Sequence, residues 1–225
     1  MSWKLSTALA GAFIASGCAA AQAANEADTE QVAEGSSREL TCEYPVKVDD
    51  SAESLIARYG EQARLGQYWG EAEEFFVLTI WPDDPSRTLE IVYRTEERKE
   101  VRSVGAGPES RWTIKGLPRG ASVERIEEVN GASFAMFGFE WDMHGRIVDF
   151  NGGTLADLGG CRAKLSMDYR ELGEDEGDLN REELMGDIVI PSTAPAMRSG
   201  DIQLSYLALQ FGEDPELEGF DPEDY

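Results

Sequence analysis

The chain has 225 residues, 41% hydrophobic and 28% charged, enough apolar side chains for one domain, or two small ones, with a real core. Acidic residues outnumber basic ones 44 to 20, and a formal charge of −24 argues against a nucleic-acid backbone or an anionic membrane surface as partner. Five tryptophans, seven tyrosines and nine phenylalanines exclude wholesale disorder.

Residues 1–23 read as an export signal. Lys4 is the only charge, Leu5 to Ala15 is an apolar run, and Ala21-Gln22-Ala23 offers a small-x-small cleavage site before Ala24. That run is too short to cross about 30 Å of hydrocarbon, and no other stretch approaches the ~20 apolar residues of a transmembrane helix. A second ending competes with the first. Ala15-Ser16-Gly17-Cys18 resembles a bacterial lipobox, which implies Cys18 as a lipidation candidate, although Ala15 stands where leucine is usual. Residues 24–40 are poor in apolar side chains and suit a flexible tether. Under either cleavage Cys42 and Cys161 are the two cysteines left to pair. In an oxidising compartment a disulfide between them is expected, the alternative being two buried thiols. Neither cysteine has zinc or Cys-x-x-Cys spacing.

A globular unit is expected over residues 41–211. Its first helix follows Asp50, whose spacing to Glu53 suits a capping box; Leu55, Ile56 and Tyr59 share a face and Gly60 stops it. Trp69 then sits in Gly-Gln-Tyr-Trp-Gly, a glycine-flanked loop where a large aromatic can anchor a protein partner or stack on a sugar. Strands are expected at Phe75–Trp81 and Leu89–Arg94, flanking the turn Pro82–Ser86, with shorter ones at Val101–Val104 and Arg111–Lys115. Ser122 caps a second helix with Val123, Ile126 and Val129 as its stripe and Gly131 as its stop. Beyond it come Phe134–Trp141 and Arg146–Phe150, joined across Asp142–Gly145, then Cys161–Tyr169, Ile188–Ile190 and Ile202–Phe211. The fold class is therefore α+β: antiparallel sheet with two short helices packed on it.

The two helices repeat a plan. Ser51-x-Glu53-x-Leu55 ending at Gly60 matches Ser122-x-Glu124-x-Ile126 ending at Gly131, and each precedes an aromatic-rich hairpin. If the unit is duplicated, the repeats are 41–115 and 116–211. Gly120, Ser122, Ile126 and Gly131 resemble the helix motif of SmpA/OmlA-type outer-membrane assembly lipoproteins and of the tandem β-lactamase-inhibitory-protein fold. The first copy lacks the leading glycine, and neither has the proline that often follows the last one. The resemblance spans about twenty residues and implies a helix followed by antiparallel strands.

Two stretches are strongly acidic: Glu171–Asp187, expected as a solvated loop, and residues 212–225, expected as a disordered tail. An EF-hand register in the first puts Glu174, Glu176 and Glu183 at ligand positions but Leu172 at position one, so no metal site is assigned. His144, the only histidine, falls in a turn, which leaves histidine-dependent nucleophilic or zinc chemistry one residue to work with. No catalytic residue and no cofactor is assigned. The leading expectation is a non-catalytic periplasmic or outer-membrane-associated binding or assembly protein whose partner is another envelope protein, lipid-anchored or free. The alternative is a carboxylate-based glycan hydrolase or glycan-binding domain.

Overall fold

The computed structural model describes residues 38–70, 74–140, 143–169, 182–198, 201–214 and 217. The expected signal and lipobox, most of the tether, much of the acidic loop and most of the tail lie outside them. Among the described residues no helix is long and apolar enough to cross a membrane.

Two helices and a largely antiparallel set of strands make the α+β fold that the sequence implies. Helix α1 is Ala52–Tyr59 and α2 is Val123–Asn130. The first half adds β1 (Arg38–Glu39), β2 (Ala63–Trp69), β3 (Glu74–Ile80), β4 (Leu89–Tyr93), β5 (Val101–Ala106), β6 (Trp112–Ile114) and β7 (Leu117–Pro118). The second adds β8 (Ala135–Phe137), β9 (Ile147–Asp149), β10 (Arg162–Tyr169), β11 (Val189–Pro191) and β12 (Ile202–Gln210). The main sheet has six antiparallel strands in the order β10-β12-β5-β4-β3-β2. Two three-stranded sheets, β1-β6-β7 and β11-β8-β9, flank it.

Alternation along the central strands sets the core. Leu78 and Ile80 on β3, Leu89 and Ile91 on β4, and Leu165 and Met167 on β10 are fully buried on one face, joined by Leu55 of α1 and Ile126 of α2. Ser51 and Ser122 cap their helices through Ser54 N and Arg125 N, and Gly60 and Gly131 end them at positive φ. The expected capping box is not what Asp50 does. Its carboxylate accepts from Arg58 at 2.6 and 3.0 Å, from Lys47 N at 2.9 Å and from the Ser54 hydroxyl at 3.2 Å. Burial pushes this carboxyl's pKa up, but the bonds from Arg58 and Lys47 outweigh it and hold the group below its ordinary value.

Cys42 and Cys161 form the expected disulfide, closing a sequence separation of 119 residues. The expected strand Phe134–Trp141 is shorter than the apolar run implies. β8 stops at Phe137, Phe139 makes only an isolated bridge to Met185, and Glu140 adopts φ 67°. Glu140 thus cannot continue a regular pleat, and Trp141 lies outside the described residues. Gly145 follows at φ 63°, where a Cβ would come within 2.1 Å of Met167 O, so only glycine lets the β8–β9 hairpin lie against β10.

Candidate functional site

Three regions could carry function: a cleft over Trp81, a buried charge cluster at one edge of the main sheet, and the aromatic strand at the other.

Trp81 directly follows β3 at φ 53°, stacked on Trp112 at 5.8 Å, edge-on to Tyr59 at 5.1 Å, with the Arg87 guanidinium 4.3 Å over its ring. It floors a cleft of ≈ 420 Å³ whose rim includes Glu61, Asp83 and Asp84. This is the gathering of carboxylates around an aromatic that a glycan hydrolase needs, but two of the three carboxylates are committed elsewhere. Asp84 accepts from the Ser86 hydroxyl at 2.7 Å and Ser86 N at 3.1 Å, bonds that hold its pKa below the ordinary value. Asp83 pairs with Arg64 at 2.5 Å. A glycosidic general acid needs a raised pKa. The carboxyl that burial does raise is Glu90, partly offset by the Tyr68 hydroxyl at 3.4 Å, and Glu90 does not line the cleft.

The charge cluster sits where β9 meets β10. Asp214, with its side chain fully buried, pairs with Arg146 and lies 3.8 Å from both Arg162 and Lys164. Arg94 donates to Phe211 O just upstream. The expected free tail therefore does not begin at residue 212, because Asp214 is tied into the fold. Its surroundings are the electrostatic inverse of the whole chain: cations gathered on one carboxylate.

The third region is β2, the terminal strand of the sheet. Trp69 is its last residue, not part of a loop, and is 75% exposed. Leu65 is 56% and Tyr68 43% exposed on the same strand. Tyr68 stacks on Phe75 at 5.1 Å across the hairpin, which fixes one aromatic while Trp69 projects into solvent. Sequence reasoning found Trp69 but missed Leu65, Tyr68 and the strand itself. The available signal was the pairing of Leu-Gly-Gln-Tyr-Trp with Phe75-Phe76 across the short segment 70–73.

His144 stays in its turn. Its Nδ1 accepts from Glu140 N at 3.2 Å and its Nε2 lies 3.5 Å from Asp168. Among the described residues no group of three or more His, Cys, Asp or Glu is placed to hold a metal. Cys42 and Cys161 are consumed by their bond, and Cys18, Ala23 and Ala24 lie outside the described residues.

These features define a disulfide-closed α+β domain whose sheet ends in an exposed aromatic strand. Comparison with known proteins finds no matching family model, and no curated protein or solved structure with significant similarity.

Proposed function

We propose that the chain is a non-catalytic binding or assembly protein of the bacterial envelope, exported to the periplasm, that engages another envelope protein through β2. The observation that carries this reading is the concentration of Leu65, Tyr68 and Trp69 on one strand, with Trp69 75% exposed. Water-exposed tryptophan at a strand end contributes little to a fold and much to an interface, where Trp and Tyr dominate binding energy. The export-signal pattern and the candidate lipidation at Cys18 support the compartment, and the resemblance of the α2 segment to the helix motif of outer-membrane assembly lipoproteins is in keeping with the class.

Site-specific photo-crosslinking tests it. A crosslinker at position 67 or 69 is expected to trap one discrete envelope protein, and one at Glu128 on α2 is expected to trap none. Trp69→Ala should lower the yield at position 67 at least tenfold. Equal trapping from both faces, or saturable turnover of a glycan that Glu90→Gln abolishes, overturns the reading. Mass spectrometry of the mature N-terminus separates the two processed forms: a start at Ala24 means a soluble protein, an acylated Cys18 an anchored one.

A further inference from the structure

The next inference rests on β2 being the contact surface and concerns how the partner is held. In an antiparallel pair, backbone groups alternate between facing the partner strand and facing away. Trp81 N donates to Gln62 O at 2.8 Å, and the register runs without a break from Ala63↔Ile80 to Trp69↔Glu74. That phase turns Arg64, Gly66 and Tyr68 toward β3 and leaves the N–H and C=O groups of Leu65, Gln67 and Trp69 pointing outward. Ala63 N is used by Gly60 O at the end of the preceding turn. Among the described residues, no backbone or side-chain group bonds the outward groups of Leu65, Gln67 or Trp69.

Exposed edges are ordinarily blunted by proline, a bulge, an inward charge or a covering segment. β2 has no proline, its pairing with β3 shows no bulge, and its one charged residue, Arg64, is held by Asp83. Arg98 reaches over the Phe76 ring and donates to Gly66 O at 3.2 Å, holding the strand from its face while leaving its rim open. Leu65, Gln67 and Trp69 also share a face, because residues opposite one another point the same way and their opposites are Leu78, Phe76 and Glu74. An added strand would thus meet three outward backbone pairs and, on one face, a leucine and a tryptophan.

Charge selects the occupant. Beyond Trp69 the chain reads Gly70-Glu71-Ala72-Glu73-Glu74, Glu61 precedes the strand, and the whole chain carries −24. A second copy docking antiparallel would set one acidic end against the other. We propose that β2 accepts an extended, basic segment of another protein as a seventh strand, by β-augmentation, with apolar side chains opposite Leu65 and Trp69 and lysine or arginine toward the strand ends.

The test uses the full mature chain and a labelled, end-capped nonapeptide alternating valine with lysine and threonine, read by fluorescence anisotropy. Gln67→Pro removes one outward N–H and leaves the bonds of residues 66 and 68 to β3 in place. Saturable binding that Gln67→Pro and Trp69→Ala each weaken at least tenfold, and that rising salt weakens too, is the expected result. If Gln67→Pro does not fold, N-methylation of the peptide serves with the wild-type protein. Methyl groups on the amides facing β2 should abolish binding, those on the alternate amides should not, and a peptide with glutamate for lysine should not bind. Loss with Trp69→Ala but full binding by Gln67→Pro, or indifference to N-methylation, overturns strand addition and leaves the contact surface standing. Peptide binding that neither variant weakens overturns both. No peptide binding to the wild type overturns strand addition, and concentration-dependent dimerisation abolished by Gln67→Pro assigns the edge to a second copy instead.

Discussion

At its β10 side the main sheet is closed three ways. Arg146 bridges Ser166 and Met167 N bonds Gly145 O, laying β9 along the strand; Asp214 ties the C-terminal segment to Arg146, Arg162 and Lys164; and Cys161, just before β10, is bonded to Cys42. At its β2 side, among the described residues, the same sheet has no further strand, and Leu65 and Trp69 are exposed. Both edges face the same hazard of uncontrolled pairing. The contrast locates stabilising contacts at one edge and the proposed contact surface at the other, so substitutions at the two should separate folding from binding.

The largest effect is expected at the closed edge. Reducing the Cys42–Cys161 bond frees a loop with a sequence separation of 119 residues. The chain-entropy relation gives roughly 4–5 kcal/mol for a loop of about that length. Urea melts with and without reductant measure it, and an unchanged midpoint would mean that the other two closures suffice. Asp214→Ala comes next. It removes the carboxylate that Arg146, 7% exposed in its side chain, and Lys164, 13% exposed, both approach. Removing one member of a buried charge group typically costs about 3 kcal/mol or more. Glu213→Gln, one residue away and exposed, should change the urea midpoint little. Equal, small effects from both would return the segment to the status of a solvated tail.

How far the sequence reveals each edge follows from what makes it an edge. Helices α1 and α2 were legible because serine caps and glycine stops are local chemistry, β3 and β4 because β-branched and aromatic runs flank a turn, and β10 and the start of β12 because burial on one face imprints a period of two. β2 has no such imprint. With both faces partly in water, Ala-Arg-Leu-Gly-Gln-Tyr-Trp shows no alternation, and its glycines suggest a loop around Trp69. The Asp214 cluster is hidden for a different reason. A carboxylate in an acidic run looks solvated, and only the fold brings Arg162 and Lys164 of β10, and Arg146 just before β9, to it. Asp50 lost its expected capping role because Arg58, one helix length away, supplies stronger donors than the helix N-terminus.

Two carboxyls sharpen the comparison through pH, with opposite signs. Asp50 is held below its ordinary 3.8, so the stability it contributes is present above that value and lost as pH falls through the lower folded value. Because Arg58 is 43% exposed and screened, Asp50→Asn should cost only about 1 kcal/mol at neutral pH, and nothing once acid has protonated the wild-type group. Glu90, on β4 and hydrogen-bonded by Tyr68 of the open edge, is raised by burial above its ordinary 4.5. The folded state therefore holds that proton more tightly than the unfolded one. Its charge costs stability at neutral pH, and the cost disappears as pH falls through the raised folded value. Glu90→Gln should raise the unfolding free energy at pH 7 by no more than about 1 kcal/mol and leave it unchanged near pH 3. A loss at pH 7 would make the Tyr68 bond the dominant interaction.

The smallest effect on folding is expected where the effect on binding should be greatest. Trp69 is 75% exposed, and its register partner Glu74 is the first residue of β3, so truncation removes little buried area. The hairpin keeps its aromatic contact, because the ring stacked on Phe75 belongs to Tyr68. What remains is a difference in strand propensity between tryptophan and alanine on an edge strand, a few tenths of a kcal/mol at most. Trp69→Ala should thus melt within about 0.5 kcal/mol of the wild type, whereas Tyr68→Ala, which loses both the Phe75 stack and the Glu90 hydrogen bond, should cost more. Urea midpoints of the two variants decide the matter. If Trp69→Ala destabilises the fold as much as Tyr68→Ala, the exposed ring belongs to the architecture of the hairpin, and the open edge loses its claim to be kept for a partner.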